Sequence, residues 1–340
     1  MTDSVLCAAD ELAEFTTRIF IRLGMPEDDA AYMAANIISS ELNGHECHGM
    51  RRVPEYVGRW REGKANPVTD LQVEKDSGAT VLLNAQGAFG HVVMRDAIKL
   101  AIARAKASGV SVVGIRRSEH AGRFADFCME AADQGVITLI FANDSGGCQQ
   151  VAPPGGLAPR LSTNPLAIGI PRVGKPHFVL DMATSAAAFG RVSDLRDRGE
   201  IVPSDWLNSC GKLLPFGGLK GFGLSIVVEA LAGALTGAGT VRKCPEKDDQ
   251  AILIIAIEVE RMRPLNDFVS DVDAFISHIK DVPLEDGASP VCMPGEMGAL
   301  RCAEIKKRGI EVQGFVREKL LRIAEELNVG VPATLCAIDK

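Results

Sequence analysis

At 340 residues, with 46% hydrophobic and 24% charged, the chain is long enough to bury a large core and to divide into two or three lobes. Its net charge of −7 argues against a nucleic-acid or anionic-membrane binder, since phosphate contacts need a basic surface, and leaves a small molecule as the expected partner. The nine cysteines are odd in number and form no CxxC pair, the N-terminus lacks a basic stretch leading into an apolar one, and no uncharged apolar run reaches the roughly 18 residues of a membrane span, so a reduced, cytoplasmic protein is expected.

From Ala8 to about Leu42 the apolar residues recur at helical spacing in two segments separated by Gly24-Met25-Pro26. Val53 to Arg61 reads as another short helix, stopped by Gly63 and Pro67. From about Leu71 the pattern turns to mixed α/β. Strands are expected at Ala79–Asn84, Val110–Ile115 and Val136–Ala142, with helices at His91–Ser108 and Arg123–Gln134 between them. A Gly/Pro-rich loop at Gly146–Pro159 precedes apolar strands near Leu166–Ile170 and Phe178–Leu180. After a polar stretch around Arg191–Asp205, a glycine-rich run at Gly217–Gly223 leads into an apolar helix from Leu224 to about Leu235, and Ala251–Val259 is a further strand. Helices at Ser270–Ile279 and Glu311–Leu327 close the chain, with Pro294-Gly295-Glu296 as a turn between them.

The densest chemistry lies at Gly44-His45-Glu46-Cys47-His48-Gly49-Met50-Arg51-Arg52, on the connection between two expected helices. His45 and His48 are three residues apart, whereas a helical zinc pair needs a spacing of four to share one face, so the HExxH reading fails and no metal is expected. Cys47 beside His48 admits a thiol nucleophile, although Cys-His pairs that act together usually come from separate parts of a fold. A third reading makes His48 a proton donor or acceptor next to an anion site built by Arg52, because arginine grips a carboxylate through two parallel hydrogen bonds. A solvated loop whose charges face water stands as the plain alternative.

Ser118-Glu119-His120-Ala121-Gly122-Arg123 sits between a strand and a helix, where backbone N–H groups and an arginine can hold an anion such as a cofactor phosphate. Ser162-Thr163-Asn164-Pro165 and Asp181-Met182-Ala183-Thr184-Ser185 put small hydroxyls at strand ends, where α/β folds commonly contact ligands. The Gly217–Gly223 run lacks GxxxxGK[ST], and no GxGxxG follows a strand, so neither a P-loop nor a Rossmann site is supported.

Taken in order, seven segments resemble the type 2 malate/L-lactate dehydrogenases, a nicotinamide-dependent family unrelated to the Rossmann lactate dehydrogenases. They are Gly44–Gly49 with Arg52, similar to the family's GHDSHG and arginine; Ser118–Gly122; Pro154-Gly155-Gly156; Ser162–Pro165; Asp181–Ser185; Leu214–Gly218 with Lys220–Leu224; and Pro294–Glu296. The resemblance implies an α/β fold, with a non-Rossmann cofactor lobe around a mixed β-sheet (71–304) and a helical lobe built from both chain ends (1–70 with 305–340). It implies a homodimer that uses NAD or NADP to move a hydride to a small 2-oxo acid. Reduction of a cyclic ketimine carboxylate, also found in the family, needs the same carboxylate clamp and proton donor. A non-catalytic nucleotide- or metabolite-binding relative is the third reading.

Carried over residue by residue, the resemblance makes His48 the general acid, with Cys47 beside it, and Arg52 the carboxylate holder. Thr163, Thr184 and Ser185 fall near substrate. His120, Ala121, Gly122, Arg123 and Phe124, then Asp181, Met182 and Ala183, then Lys220, and finally Pro294, Gly295 and Glu296, fall to the cofactor. This chain departs from the family pattern in two places: Cys47 stands where serine is usual, and the segment from Trp206 to Leu213 lacks a stretch with a DxxGxPTxDP-like pattern.

Overall fold

The computed structural model describes residues 4–144, 149–241 and 249–336; Met1-Thr2-Asp3, the Gly146–Cys148 part of the expected loop, and Cys244 lie outside them. The N-terminal helices form where the spacing predicts. After a short strand β1 (Val5–Cys7), α1 (Ala9–Arg22) buries Leu12, Phe15, Ile19 and Phe20 along one face. Gly24 reverses the chain with φ +95°, and Pro26 caps α2 (Glu27–Leu42), whose first turn sets Glu27, Asp28 and Asp29 against the positive end of the helix. The constellation follows as two 3-10 turns, Glu46–His48 and Met50–Arg52, that run directly into α3 (Val53–Arg61).

The α/β part comprises β2 (Gln72–Asp76), β3 (Thr80–Asn84), α4 (Gly90–Ser108), β4 (Val110–Ser118), α5 (Ala125–Asp133), β5 (Val136–Asp144), β6 (Leu166–Ile170), β7 (Phe178–Met182), α6 (Phe189–Asp197), α7 (Leu219–Val228) and β8 (Gln250–Glu258). Its seven strands form one sheet in the order β2-β3-β4-β8-β5-β6-β7. Only β3 and β4 pair in parallel; every other neighbour is antiparallel. This topology is mixed and is not the parallel, doubly wound sheet of a Rossmann fold. β8 lies between β4 and β5, and its run Ala251-Ile252-Leu253-Ile254 is fully buried, which accounts for the unbroken apolar stretch in the sequence.

α8 (Leu265–Lys280), α9 (Glu296–Arg308), β9 (Ile310–Val312), α10 (Gly314–Leu327) and a short α11 (Ala333–Cys336) follow. β9 pairs antiparallel with β1, Val5 opposite Val312, so the two ends of the chain meet. One core joins Phe15, Phe20, Met33, Tyr56, Leu320 and Ile323 from α1, α2, α3 and α10. A second packs Val93, Ile98 and Phe127 of α4 and α5 against Val113, Ile140 and Ile254 of the sheet. The cores touch at the start of α4, where Phe89 and Val92 belong to the first and Val93 and Met94 to the second.

At that junction Gly90 has no room for a side chain, because a Cβ would lie 2.3 Å from the Glu119 carbonyl oxygen and 2.6 Å from the Ala121 Cα. The close approach pins the segment carrying His120 against α4. The expected turn at Pro294-Gly295-Glu296 is instead the N-terminus of α9, with Gly295 at the cap (φ +97°). α7 begins at Leu219 and passes into a π-helical turn, Glu229–Ala234. Among the described residues no helix is long and apolar enough to cross a membrane, and the seven described cysteines are free thiols.

Candidate active site

The loop that carries the constellation is shaped by its two glycines and by one buried acid. Gly44 takes φ +75°, a conformation costly for other residues. Gly49 is required for a different reason: a Cβ there would sit 2.1 Å from Oε1 of Glu41, which projects from the last turn of α2 and accepts the Met50 N–H at 2.6 Å. Arg52 is tied back across the loop, its Nε donating to the Cys47 carbonyl at 2.7 Å and its Nη1 to Glu55 at 2.5 Å. These bonds hold Cys47, His48 and Arg52 on one side of the loop.

Burial pushes the Glu41 carboxyl up from 4.5 to about 8. In the unfolded chain the same group ionises near 4.5, so across pH 4.5 to 8 the folded state keeps a proton that the unfolded state releases. Its contribution to stability therefore declines as pH rises through that window and levels off above it. Glu41→Gln keeps an acceptor for the Met50 N–H but removes the titration. Thermal unfolding followed in pH steps is expected to show a flatter dependence between pH 5 and 8 than in the wild type; parallel curves would contradict the assignment.

His48 lies 3.2 Å, through Nδ1, from Sγ of Cys47. Burial raises the Cys47 thiol and keeps it protonated, and Sγ and Nδ1 share one hydrogen bond whose direction follows the imidazole tautomer. The His48 ring stacks on His120, centroids 5.7 Å apart at 14°. Nδ1 of His120 accepts from the Gly122 N–H at 3.3 Å and from the Tyr56 hydroxyl at 2.8 Å, which leaves Nε2 of that ring protonated. Burial first, then the charge of Arg52, depresses both imidazoles well below the usual histidine range, so both are neutral at pH 7 in the ligand-free protein. His45 falls to about 4 by burial and by Arg123 and Arg301.

These groups open onto a cleft of about 510 Å³, within the range of small-molecule and cofactor sites. His45, Cys47, His48 and Arg52 form one wall; His120, Gly122, Arg123 and Phe124 another; Thr163, Asp181, Met182 and Ala183 a third. Ala121 is buried behind this lining. Thr184 and Ser185 lie beneath it, the Thr184 hydroxyl donating to the Thr163 carbonyl at 3.0 Å and Ser185 to that of Ala187 at 2.6 Å. Lys220 is exposed in the first turn of α7, away from the cleft. Pro294, Gly295 and Glu296 pack outside β7, where Pro294 accepts the Val179 N–H and Glu296 pairs with Lys280.

Sequence reasoning missed α6, which closes one side of the cleft with Phe189, Gly190 and Ser193. Gly190 packs so tightly that a Cβ would lie 2.7 Å from that of Cys47. Ion pairs fix this contact: Arg51 with Asp197 at 2.5 Å and Arg198 with Glu46 at 2.5 Å. The alternation of arginine and aspartate in α6 reads as a solvated surface until the loop facing it is known. The short Trp206–Leu213 segment closes through a Leu207–Leu213 bridge, with the Asn208 side chain accepting the Cys210 and Lys212 N–H groups, and does not border the main cleft.

The cleft suits a nicotinamide group. Met182, Ala183, Phe124 and Phe189 offer apolar surface for a flat ring, and His48 and His120 present polar edges beside it. Asn143, also in the lining, is buried with its Oδ1 unpaired among the described residues.

The chain matches the family described as malate/L-lactate dehydrogenase over residues 7–321. It is 34% identical to a malate dehydrogenase of Pyrococcus abyssi across 94% of both chains. Its fold is similar to the crystal structure of malate dehydrogenase from Entamoeba histolytica, with a TM-score of 0.91 and 26% identity over 97% of this chain and 100% of that one. It is also similar to a delta1-piperideine-2-carboxylate reductase from Pseudomonas syringae, with a TM-score of 0.79 and 27% identity over 94% and 99% of the two chains.

Proposed function

This chain belongs to the malate/L-lactate dehydrogenase family and is a nicotinamide-dependent oxidoreductase of small 2-oxo and 2-hydroxy acids; we propose that His48 and Arg52 are the groups that act on the acid. The observation that carries this reading is the pairing, on one tied loop, of an imidazole held through Nδ1 by Cys47 and a guanidinium whose Nη2 makes no hydrogen bond among the described residues.

Arg52 receives the substrate carboxylate, and its tether to the Cys47 carbonyl fixes that anchor relative to His48. The bound cofactor supplies or takes the hydride. In reduction, His48 takes up a proton as substrate binds and the imidazolium gives its Nε2 proton to the substrate oxygen, returning to the neutral ring; in oxidation, Nε2 of the neutral ring, unprotonated, takes the hydroxyl proton. A carboxylate on Arg52 cancels the largest charge opposing protonation of His48, so substrate binding and proton uptake are coupled. Sγ of Cys47, bonded to Nδ1, holds the ring orientation, the part usually played by serine. Thr163, with its carbonyl fixed by Thr184, stands on the substrate side, and the walls at His120–Phe124 and Asp181–Ala183 receive the nicotinamide half of the cofactor.

The test is consumption of NADH and of NADPH with a panel of 2-oxo acids and cyclic ketimine carboxylates. Turnover of 2-oxo acids is expected. Turnover of ketimines alone would favour the reading suggested by the Pseudomonas reductase, and cofactor binding without turnover of any substrate would remove the acid–base roles.

Self-association is a second element of the proposal. Leu219 (75% exposed), Ile226 (48%) and Leu235 (64%) make an apolar surface along α7 and the turn after it, of the kind that homodimers cover. Light scattering at micromolar concentration is expected to find a dimer, and Ile226→Asp to shift it toward monomer; a monomeric wild type would contradict this.

A further inference from the structure

Arg123 is a second guanidinium in the cleft, held by elements other than those that hold Arg52. It precedes α5 and is 7% exposed. Only its Nη2 is engaged, donating to Asp126 at 2.6 Å and to Ser39 at 3.4 Å. Nε is shut off from solvent without a partner, and Nη1 makes no hydrogen bond among the described residues. Asp126 is gripped from α2 by the Ser39 hydroxyl at 3.0 Å and the Asn36 amide at 3.3 Å, so the guanidinium is fixed from behind while the residue borders the cleft.

A cation this buried with donors unmatched is costly as structure alone. It lines the same cleft as His45, His48 and Asp181, and its charge acts on both imidazoles and on the Asp181 carboxyl. The cleft thus carries Arg52, which opens α3, and Arg123, which precedes α5.

We propose that Arg123 is the specificity-determining residue of this cleft, receiving the distal carboxylate of a 2-oxo diacid whose 2-carboxylate is held by Arg52. This rests on the roles given above to His48 and Arg52. A monoacid with an apolar tail leaves Nη1 of Arg123 unpaired, whereas a diacid pairs it. Sites built to pair a polar group reject analogues that lack it far more strongly than apolar pockets reject an extra methylene. The resemblance implies a cofactor role for Arg123; its place in one lining with His48 and Arg52 argues for the substrate.

The test compares oxaloacetate with pyruvate as oxo acids, using wild type, Arg123→Gln, Arg123→Lys and the double variant Arg123→Gln/Asp126→Asn. The double variant replaces a buried ion pair with a neutral one and so separates folding from recognition. Wild type is expected to prefer oxaloacetate in kcat/KM, and the ratio to fall by about 10²-fold in Arg123→Gln and in the double variant, with Arg123→Lys between. An unchanged ratio, or a wild type that prefers pyruvate, overturns the proposal. So does a weakening of NADH or NADPH affinity, measured by fluorescence titration, with the ratio intact, since that marks a cofactor contact. Calorimetric binding of malate and lactate gives the same comparison without turnover. Malate bound more tightly in an Arg123-dependent way by a protein that turns over neither acid would uphold Arg123 and remove the acid–base reading of His48; equal binding of the two acids would overturn the role of Arg123 alone.

Discussion

Replacing His48 with alanine is expected to lower kcat by about 10² to 10⁴-fold while leaving cofactor affinity within a factor of about two. The size follows from the chemistry. Hydride arrival at a carbonyl carbon builds charge on oxygen, and the cleft must deliver a proton there. Nε2 of His48 is the donor positioned by the constellation, its opposite nitrogen being occupied by Sγ of Cys47. The pH dependence follows from the same geometry. Burial and Arg52 hold the free imidazole low, so reduction, which consumes a proton, is expected to slow as pH rises, and oxidation of the hydroxy acid to gain. His48→Ala should lose this dependence along with its rate. Steady-state kinetics in both directions across pH, with cofactor titration by fluorescence, measures all of it; wild-type turnover in the variant would sink the role of His48.

Replacing Arg52 with glutamine is expected to lower kcat/KM by about 10² to 10³-fold, the range typical of truncating one partner of a desolvated charge pair. Most of the loss should fall on KM, since a carboxylate clamp binds ground state and transition state alike. Part of it should reach kcat, because Arg52 also ties the Cys47 carbonyl and so helps to orient His48. Arg52→Lys keeps the charge but loses the planar fork, and an intermediate value is expected. Equal kinetics for Arg52→Gln and wild type, measured with the preferred acid, would remove the clamp.

Much of the fold was legible because its signals are local. The unbroken apolar run of β8, the alternation around β3 and the helical spacing of α1 and α2 each follow from burial on one or two faces. β1 and β9 were not legible: three residues each carry no period, and they pair only because the chain ends meet. α6 was not legible because its charged face is satisfied by Arg51 and Glu46 of a loop distant in sequence. In the site, His48 and Arg52 stood out as a cluster within a few residues. Tyr56 and Glu41 did not, because a tyrosine in an amphipathic helix and a glutamate at a helix end look ordinary until the fold sets one against His120 and the other under Gly49.

The central claim, that His48 and Arg52 jointly act on a 2-oxo acid, is tested most directly by a crystal structure with a nicotinamide cofactor and a non-reacting 2-oxo acid analogue bound. The account predicts the analogue's carboxylate on the Arg52 guanidinium and its 2-oxygen within about 2.6–3.2 Å of His48 Nε2, with the nicotinamide against the opposite wall of the cleft. A carboxylate seated elsewhere, or a 2-oxygen beyond the reach of His48, would contradict it.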